Sequence, residues 1–382
     1  MNDIKHTATA FQILHGFKLY QARQLSAGIN LDDFIAQFDG EPFVVRFAAD
    51  KSAASGKPQI FTTLLHGNET SGVEALRRLL DTQPTPYCDT YILVASVRVA
   101  TTPPKFYHRM LPNEADLNRC FKISNLQTWA ANYALAQSNA SIDGQSGGST
   151  KLMLPELLAF KIFYFVNTLK PRWLLDLHNT SGASPAFAVT RHLTHNHTLL
   201  CQQFSPFIVR SQLNVGALFE LEFDFPCVTI ECGGTGDELA NQTAYTGIHR
   251  LMHTPLSELR IDSEPAVILD QPIRLEVRKD KAVRLGYSNS KQPKDDITLM
   301  ANIDAYNFAD WHPGQLLGWA SEEGFNSLTA TDEHGQERID ELFHLQHGEI
   351  RCSTKLHLFM ITNRTDIALS DCLLYAVILP QA

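Results

Sequence analysis

The chain has 382 residues, a hydrophobic share of 44%, a charged share of 19% and a net charge of −9 at pH 7. That length buries a large core and suits two domains, the composition is globular without disordered tracts, and the acidic balance argues against a nucleic-acid partner. No run of about 18 apolar residues offers a membrane span, no basic head with an apolar stretch marks a secretory signal, and seven cysteines without a CxxC pair read as the reduced thiols of a cytoplasmic protein.

Residues 1–57 read as an N-terminal extension with a helix over Ala10–Leu25, a strand over Glu41–Phe47 and a loop over Asp50–Lys57. Pro58–Leu65 is a β-branched, apolar run of the kind that forms a buried strand. After it, Val73, Leu76, Leu79 and Leu80 recur at helical spacing. Between them stands Leu64-Leu65-His66-Gly67-Asn68-Glu69-Thr70-Ser71-Gly72, which places a histidine and a glutamate where a strand ends and a helix begins. Open α/β sheets bind their ligands at such strand ends. A His and a Glu three residues apart can close on one divalent metal, although an ordinary strand-to-helix loop can show the same spacing. His334 and Glu337 repeat it in the polar stretch Thr331–Arg338, which no strand feeds, and read as a solvated turn.

Thr82–Pro86 breaks the chain before another strand, Tyr91–Val97. Arg98–Phe121 has no periodic pattern and holds Pro103-Pro104; a loop of that length in a compact domain is functional or disordered, and this one is rich in Arg, Tyr and Phe. From Arg98 to Lys122 basic residues outnumber acidic ones by three, which fits either plain surface or a pocket for a small anion. Leu126–Gln137 reads as a helix and Asp143–Thr150 as a Gly/Ser loop. Pro155 opens a buried helix at its first turn, where proline is tolerated. Trp173–Leu177 is a strand ending at His178, Pro226–Ile230 a strand ending at Glu231, and Glu238–Met252 a helix. The cluster His192, His195 and His197 follows no strand and reads as a loop or helix start. Cys227 and Cys232 flank the Glu231 strand and read as packing beside the sheet. From Pro255 short runs take over: Ile273–Val277, then Lys355–Ile361 and Leu373–Leu379 with period-two alternation, and Tyr287–Asp296 as the most linker-like segment. The expected fold is α/β, a mixed sheet flanked by helices over 1–254, followed by a small all-β domain over 255–382.

Three strand ends thus carry His66 with Glu69, His178, and Glu231. They supply a His, a Glu and a His as metal ligands plus one spare carboxylate; two histidines and a glutamate with an open fourth position describe a catalytic zinc site. Asp176 lies two residues before His178, on the same side of the strand, where it can hold the outer nitrogen of the imidazole or simply be a satisfied polar residue.

The motifs HGNETSG, DLNRCF, DLHNTSG and TIECGG, in this order over about residues 60–240, resemble the succinylglutamate desuccinylase/aspartoacylase family, a branch of the zinc-carboxypeptidase-like enzymes. Ala301–Phe308 and Pro313–Gly318 are similar to the C-terminal β-domain of such enzymes. The resemblance implies one Zn2+ per chain held by His66, Glu69 and His178, with Glu231 as general base. It implies Asn118 and Arg119 as the pair that grips a substrate carboxylate, chemistry that suits a guanidinium fork. Asn179 falls beside them as a substrate-binding residue, and His178-Asn179-Thr180 reads closer to the aspartoacylase side. The family's carbonyl-polarising arginine lies eight residues before the arginine of the DLNR motif; here that position is Leu111, and Arg109 takes the role if two residues are inserted. The usual Asn-Pro after the second strand is replaced by Val97-Arg98-Val99. The implied activity is hydrolysis of the amide bond of a small anionic N-acyl amino acid, succinylglutamate- or acetylaspartate-like. A metallocarboxypeptidase on small peptides and a zinc-binding module without turnover are the alternatives.

Overall fold

The computed structural model describes residues 12–26, 30–50, 56–129, 154–260 and 265–380. Its centre is a ten-stranded mixed sheet in the order β1-β2-β3-β5-β4-β6-β9-β7-β8-β10. The strands are β1 (Gln12–Leu14), β2 (Phe17–Gln21), β3 (Phe43–Phe47), β4 (Gln59–Thr63), β5 (Thr90–Val94), β6 (Leu174–Thr180), β7 (Phe187–Thr190), β8 (Phe207–Arg210), β9 (Cys227–Gly234) and β10 (Val267–Asp270). The middle four, β5, β4, β6 and β9, run parallel. They are almost wholly buried on both faces, which is why their sequences are rich in apolar and β-branched residues. The chain leaves β4 for β5 on one side and later returns to β6 on the other. The carboxyl end of β4 is therefore a topological switch point, the usual place for a ligand crevice.

Helices cover both faces. Ser71–Thr82, His195–Gln202 and Glu238–His253 pack on one with Leu76, Leu200 and Ile248. Leu154–Leu169 covers the other with Phe160, Ile162 and Phe165. The helix read from Leu126 is helical over 123–129; its remainder and the Gly/Ser loop lie outside the described residues.

Within 12–25 the structure replaces the expected helix by a hairpin. His15 (φ 47°) and Gly16 (φ 86°) form a two-residue turn in which both residues take positive φ, the geometry that matches strand twist, and Leu14 pairs with Phe17. β2 buries Phe17, Leu19 and Tyr20. What reads as an extension is thus one edge of the main sheet. The expected strand over Tyr91–Val97 stops at Val94, and Val97–Thr101 is a short helix.

Beyond β10 the chain forms two five-stranded sheets from β11 (Ile273–Val277), β12 (Leu285–Ser288), β13 (Ile297–Met300), β14 (Ala309–Trp311), β15 (Leu316–Ala320), β16 (Leu328–Thr331), β17 (Phe343–Gln346), β18 (Glu349–Cys352), β19 (Leu356–Phe359) and β20 (Leu374–Ile378). Because β10 pairs with β8, the large sheet runs past 254 and the crossing to the smaller sheets comes at Pro272. The linker-like Tyr287–Asp296 begins inside β12. Phe359, Tyr375 and Val377 of this region pack on Phe187, Val209 and Leu269 of the large sheet. All seven cysteines are unpaired and buried, Cys227 and Cys232 lying within β9 itself. Among the described residues no helix is long and apolar enough to cross a membrane.

Candidate metal centre and active site

After β4 the chain turns at Leu64, wholly buried with φ 58°, a conformation that costs a residue other than glycine about 1–3 kcal/mol. Ser96 holds the turn, its N–H donating to Leu64 O (2.8 Å) and its hydroxyl to Leu65 O (2.8 Å). Gly67 permits the next contact. A Cβ there would stand 2.6 Å from Val99 Cγ1 and 2.9 Å from His108 O, and its N–H donates to Arg109 O at 3.1 Å. The loop bearing Arg109 is thereby fastened to the loop bearing His66 and Glu69.

Glu69 stands between the two histidines. Oε1 is 2.8 Å from His66 Nδ1 and Oε2 2.6 Å from His178 Nδ1. One atom from each of these buried residues lies within 4.8 Å of the other two, as a shared metal requires. The outer nitrogens are each fixed by a carboxylate: His66 Nε2 donates to Asp116 Oδ1 (2.9 Å) and His178 Nε2 to Asp176 Oδ2 (2.7 Å). Thr62 Oγ1 donates to the other Asp176 oxygen at 2.6 Å. Each Nδ1 is thus turned inward, as carboxylate-held metal ligands are.

Each imidazole lies between two carboxylates. Burial and Arg109 oppose charge on His66, but Glu69 and Asp116 outweigh them and raise its pKa; burial is likewise outweighed at His178, by Asp176 and Glu69, which raise it well above the ordinary value. Conversely, burial would raise Glu69, but His66 and His178 hold it below the usual range. Asp116 is also held low, by Arg109 and His66 against burial. A divalent cation in place of the two ring protons satisfies the same carboxylates, so the donor set fits such a metal.

Glu231 sits opposite His178 in the β6–β9 register. It is buried, its Oε2 has no hydrogen-bond partner among the described residues, and both His178 and Glu231 line one cavity. Burial pushes its pKa up; His178 opposes and Glu69 adds to the rise, leaving it at about 7.

Arg109 reaches the same cavity. Its guanidinium lies 3.5 Å from Glu69 Oε1, 2.9 Å from Asp116 Oδ2 and 3.3 Å from Asp371 Oδ2. Leu111 does not line the cavity; Arg109 does. Asn118 and Arg119 also line it, with Asn118 Oδ1 accepting from Leu218 N at 2.9 Å. Arg119 donates to Asn118 O (2.9 Å) and to Asp371 Oδ1 (2.5 Å). Two of its N–H groups are therefore already taken.

Asn179 lines the same cavity. Its Oδ1 accepts from Ser71 N (3.1 Å) and its Nδ2 donates to Ser71 Oγ (2.7 Å) and Gly233 O (3.1 Å), while its backbone N–H donates to Glu69 Oε2 (3.2 Å). Both ends of the amide pin the start of the Ser71–Thr82 helix to β9, and the residue also lines the cavity beside Glu69.

The basic excess over Arg98–Lys122 does not survive folding as a positive pocket. Arg98 pairs with Glu114 (2.6 Å) and Lys105 with Asp32 (3.4 Å), while Arg109 and Arg119 share Asp371. Two of these acids come from distant parts of the chain. Asp116 and Asp371 were not among the expected site residues. Asp116 had a signal, being the first residue of the DLNRCF motif; Asp371 has none in its spacing. The His192 cluster is a loop leading into the helix at His195, with His197 Nδ1 bonded to Thr194 Oγ1 (2.7 Å). His334 is exposed in a turn, and Glu337 caps Ala330 N at 2.7 Å.

The Asp116 contact gives a direct test. Asp116→Asn loses the negative charge behind His66 and is expected to weaken metal affinity by about 10–100-fold, measured by competition with a chelator. Unchanged affinity would show that Asp116 does not support the ligand.

No protein-family model and no curated protein matches the chain. Solved structures do. It is similar to succinylglutamate desuccinylase from Vibrio parahaemolyticus at 14% identity and TM-score 0.53, over 89% of this chain and 87% of that one. The desuccinylase from Vibrio cholerae is 15% identical with TM-score 0.50, over 88% and 84%. A protein from Shewanella amazonensis assigned to the succinylglutamate desuccinylase/aspartoacylase family is 12% identical with TM-score 0.53, over 87% and 93%. At such identities the likeness is one of architecture: the chain has the mixed α/β fold of the succinylglutamate desuccinylase/aspartoacylase proteins, the family its four motifs resemble.

Proposed function

We propose that the protein is a zinc-dependent deacylase that hydrolyses the amide bond of an N-acyl amino acid. One observation carries this reading: a buried, unpartnered carboxylate, Glu231, shares a cavity with a His-Glu-His group that fits a divalent metal. Two imidazoles and one carboxylate suit zinc, with a position left open as in catalytic sites. Bound by His66, Glu69 and His178, the metal would supply a Lewis acid and lower the pKa of water toward ~7.

The chain's own groups carry the remaining roles. Glu231, with its pKa of about 7, is matched to taking the proton of the attacking water and passing it to the leaving amine. Arg109 donates to the oxygen that gains charge in the transition state. Asn118 and the remaining N–H groups of Arg119 hold the substrate carboxylate and fix its register. Asp116, Asp176 and Asn179 position the ligands. Residues from Ile273 onward act as an accessory β-domain that roofs the site through Asp371, Phe359 and Tyr375. The cavity has a volume of about 90 Å3, room for several waters at about 10–15 Å3 each. That favours a single acylated amino acid over the longer peptide of a carboxypeptidase.

The reading is tested by incubating zinc-loaded protein with a panel of N-acetyl and N-succinyl amino acids and assaying the freed amine. Release from at least one member, abolished by chelation and restored by zinc, is the expected result. Zinc content near one per chain with no release from any member would leave a binding module without turnover.

A further inference from the structure

The cavity changes character away from the metal ligands, and strand register decides how. Thr229 lies two residues before Glu231 on β9 and so on the same face of the sheet. Across the sheet Thr229 pairs with Val189 of β7, and Val189 pairs with Val209 of β8. This row of Thr229, Val189 and Val209 forms a floor next to the general base. Leu213, together with Phe359 and Tyr375 from the C-terminal region, lines the same cavity.

The charges around that floor are already matched. Asp371 is nine-tenths buried and held by Arg119 (2.5 Å), Arg274 (2.7 Å) and Arg109 (3.3 Å). Its backbone carbonyl also accepts from Arg274 at 3.0 Å, which fixes it as part of the wall. Arg109 is shared further with Asp116. Glu220 adds another negative charge to the lining, its carboxylate anchored by Val215 N (2.9 Å) and Gly216 N (2.8 Å). One carboxylate of a substrate can still meet Arg119. A second one, on a side chain, would enter a largely apolar slot with no uncommitted cation among the described residues, and would lose its hydration with no charge to replace it.

Building on the deacylase reading, we infer that the slot receives an apolar side chain. The preferred substrates are then N-acyl derivatives of branched aliphatic or aromatic amino acids, not of aspartate or glutamate. The amino acid that offers its carboxylate to Arg119 lays its side chain along Val189 and Val209, and burial of that side chain supplies the selectivity.

The test uses zinc-loaded Glu231→Gln protein, so that binding is read without turnover, and wild-type protein in parallel. Calorimetric Kd values are measured for N-acetyl-leucine, N-acetyl-phenylalanine, N-acetyl-aspartate and N-succinyl-glutamate. The apolar compounds should bind at least ~10-fold more tightly, and wild-type kcat/KM should follow the same order. A second arm places a cation at the floor: Val189→Lys, checked for an unchanged melting temperature, should narrow or invert the preference. Acidic compounds that bind or react as well as the apolar ones overturn the inference while leaving the deacylase reading intact. If neither class binds nor is cleaved, the deacylase reading falls and the inference with it.

Discussion

Glu231→Gln is expected to lower kcat by at least ~10²-fold while zinc content remains near one per chain. The amide keeps the size of the carboxylate but cannot accept a proton, and the three proposed ligands keep their outer partners Asp116 and Asp176. The same variant has a second signature in metal-free protein. Burial raises the Glu231 pKa from 4.5 to about 7, so between these values the folded protein holds a proton that the unfolded chain releases. Stability contributed by this group is therefore lost as pH rises through that window. Gln does not titrate, so metal-free Glu231→Gln should melt higher than the parent at about pH 8, with the gap closing toward about pH 5. Loss of zinc from the variant would make Glu231 a fourth ligand and remove its role as base.

His178→Ala is expected to abolish stoichiometric zinc, and His66→Ala to do the same, with activity falling to background. Each removes one of only three proposed ligands and leaves two buried carboxylates facing each other without the imidazole between them. His195→Ala and His334→Ala are the controls and should retain full zinc, since those rings belong to a helix start and an exposed turn. Elemental analysis after gel filtration reads both. Full zinc in His178→Ala would remove the centre of the proposal.

The parallel core was readable because burial on both faces leaves a strong mark: β4, β6 and β9 are rich in apolar and β-branched residues, and His66 follows the first while His178 and Glu231 lie toward the carboxyl ends of the other two. The hairpin at His15-Gly16 was not, because it rests on a turn of two positive-φ residues that no apolar spacing announces. Electrostatics was the least readable. The excess of positive charge between Arg98 and Lys122 was counted along the chain, whereas Asp32 and Asp371 cancel part of it from far away in sequence. Asn179 shows the same limit at one residue, since its neighbour His178 faces the metal group while its own amide is committed to Ser71 and Gly233.

Asp371 has a consequence for how the chain can be divided. It leaves a helix of the C-terminal region to close an ion cluster with Arg109 and Arg119, which belong to the half that holds the large sheet. Excising everything beyond β10 would leave those two guanidiniums crowding each other beside the ligand carboxylates, and would bare Phe187 and Val209 to water. A shortened gene ending at Asp270 would therefore not encode a minimal version of the same site. The two halves are bound together by that ion cluster and by the apolar contacts of Phe359 and Tyr375.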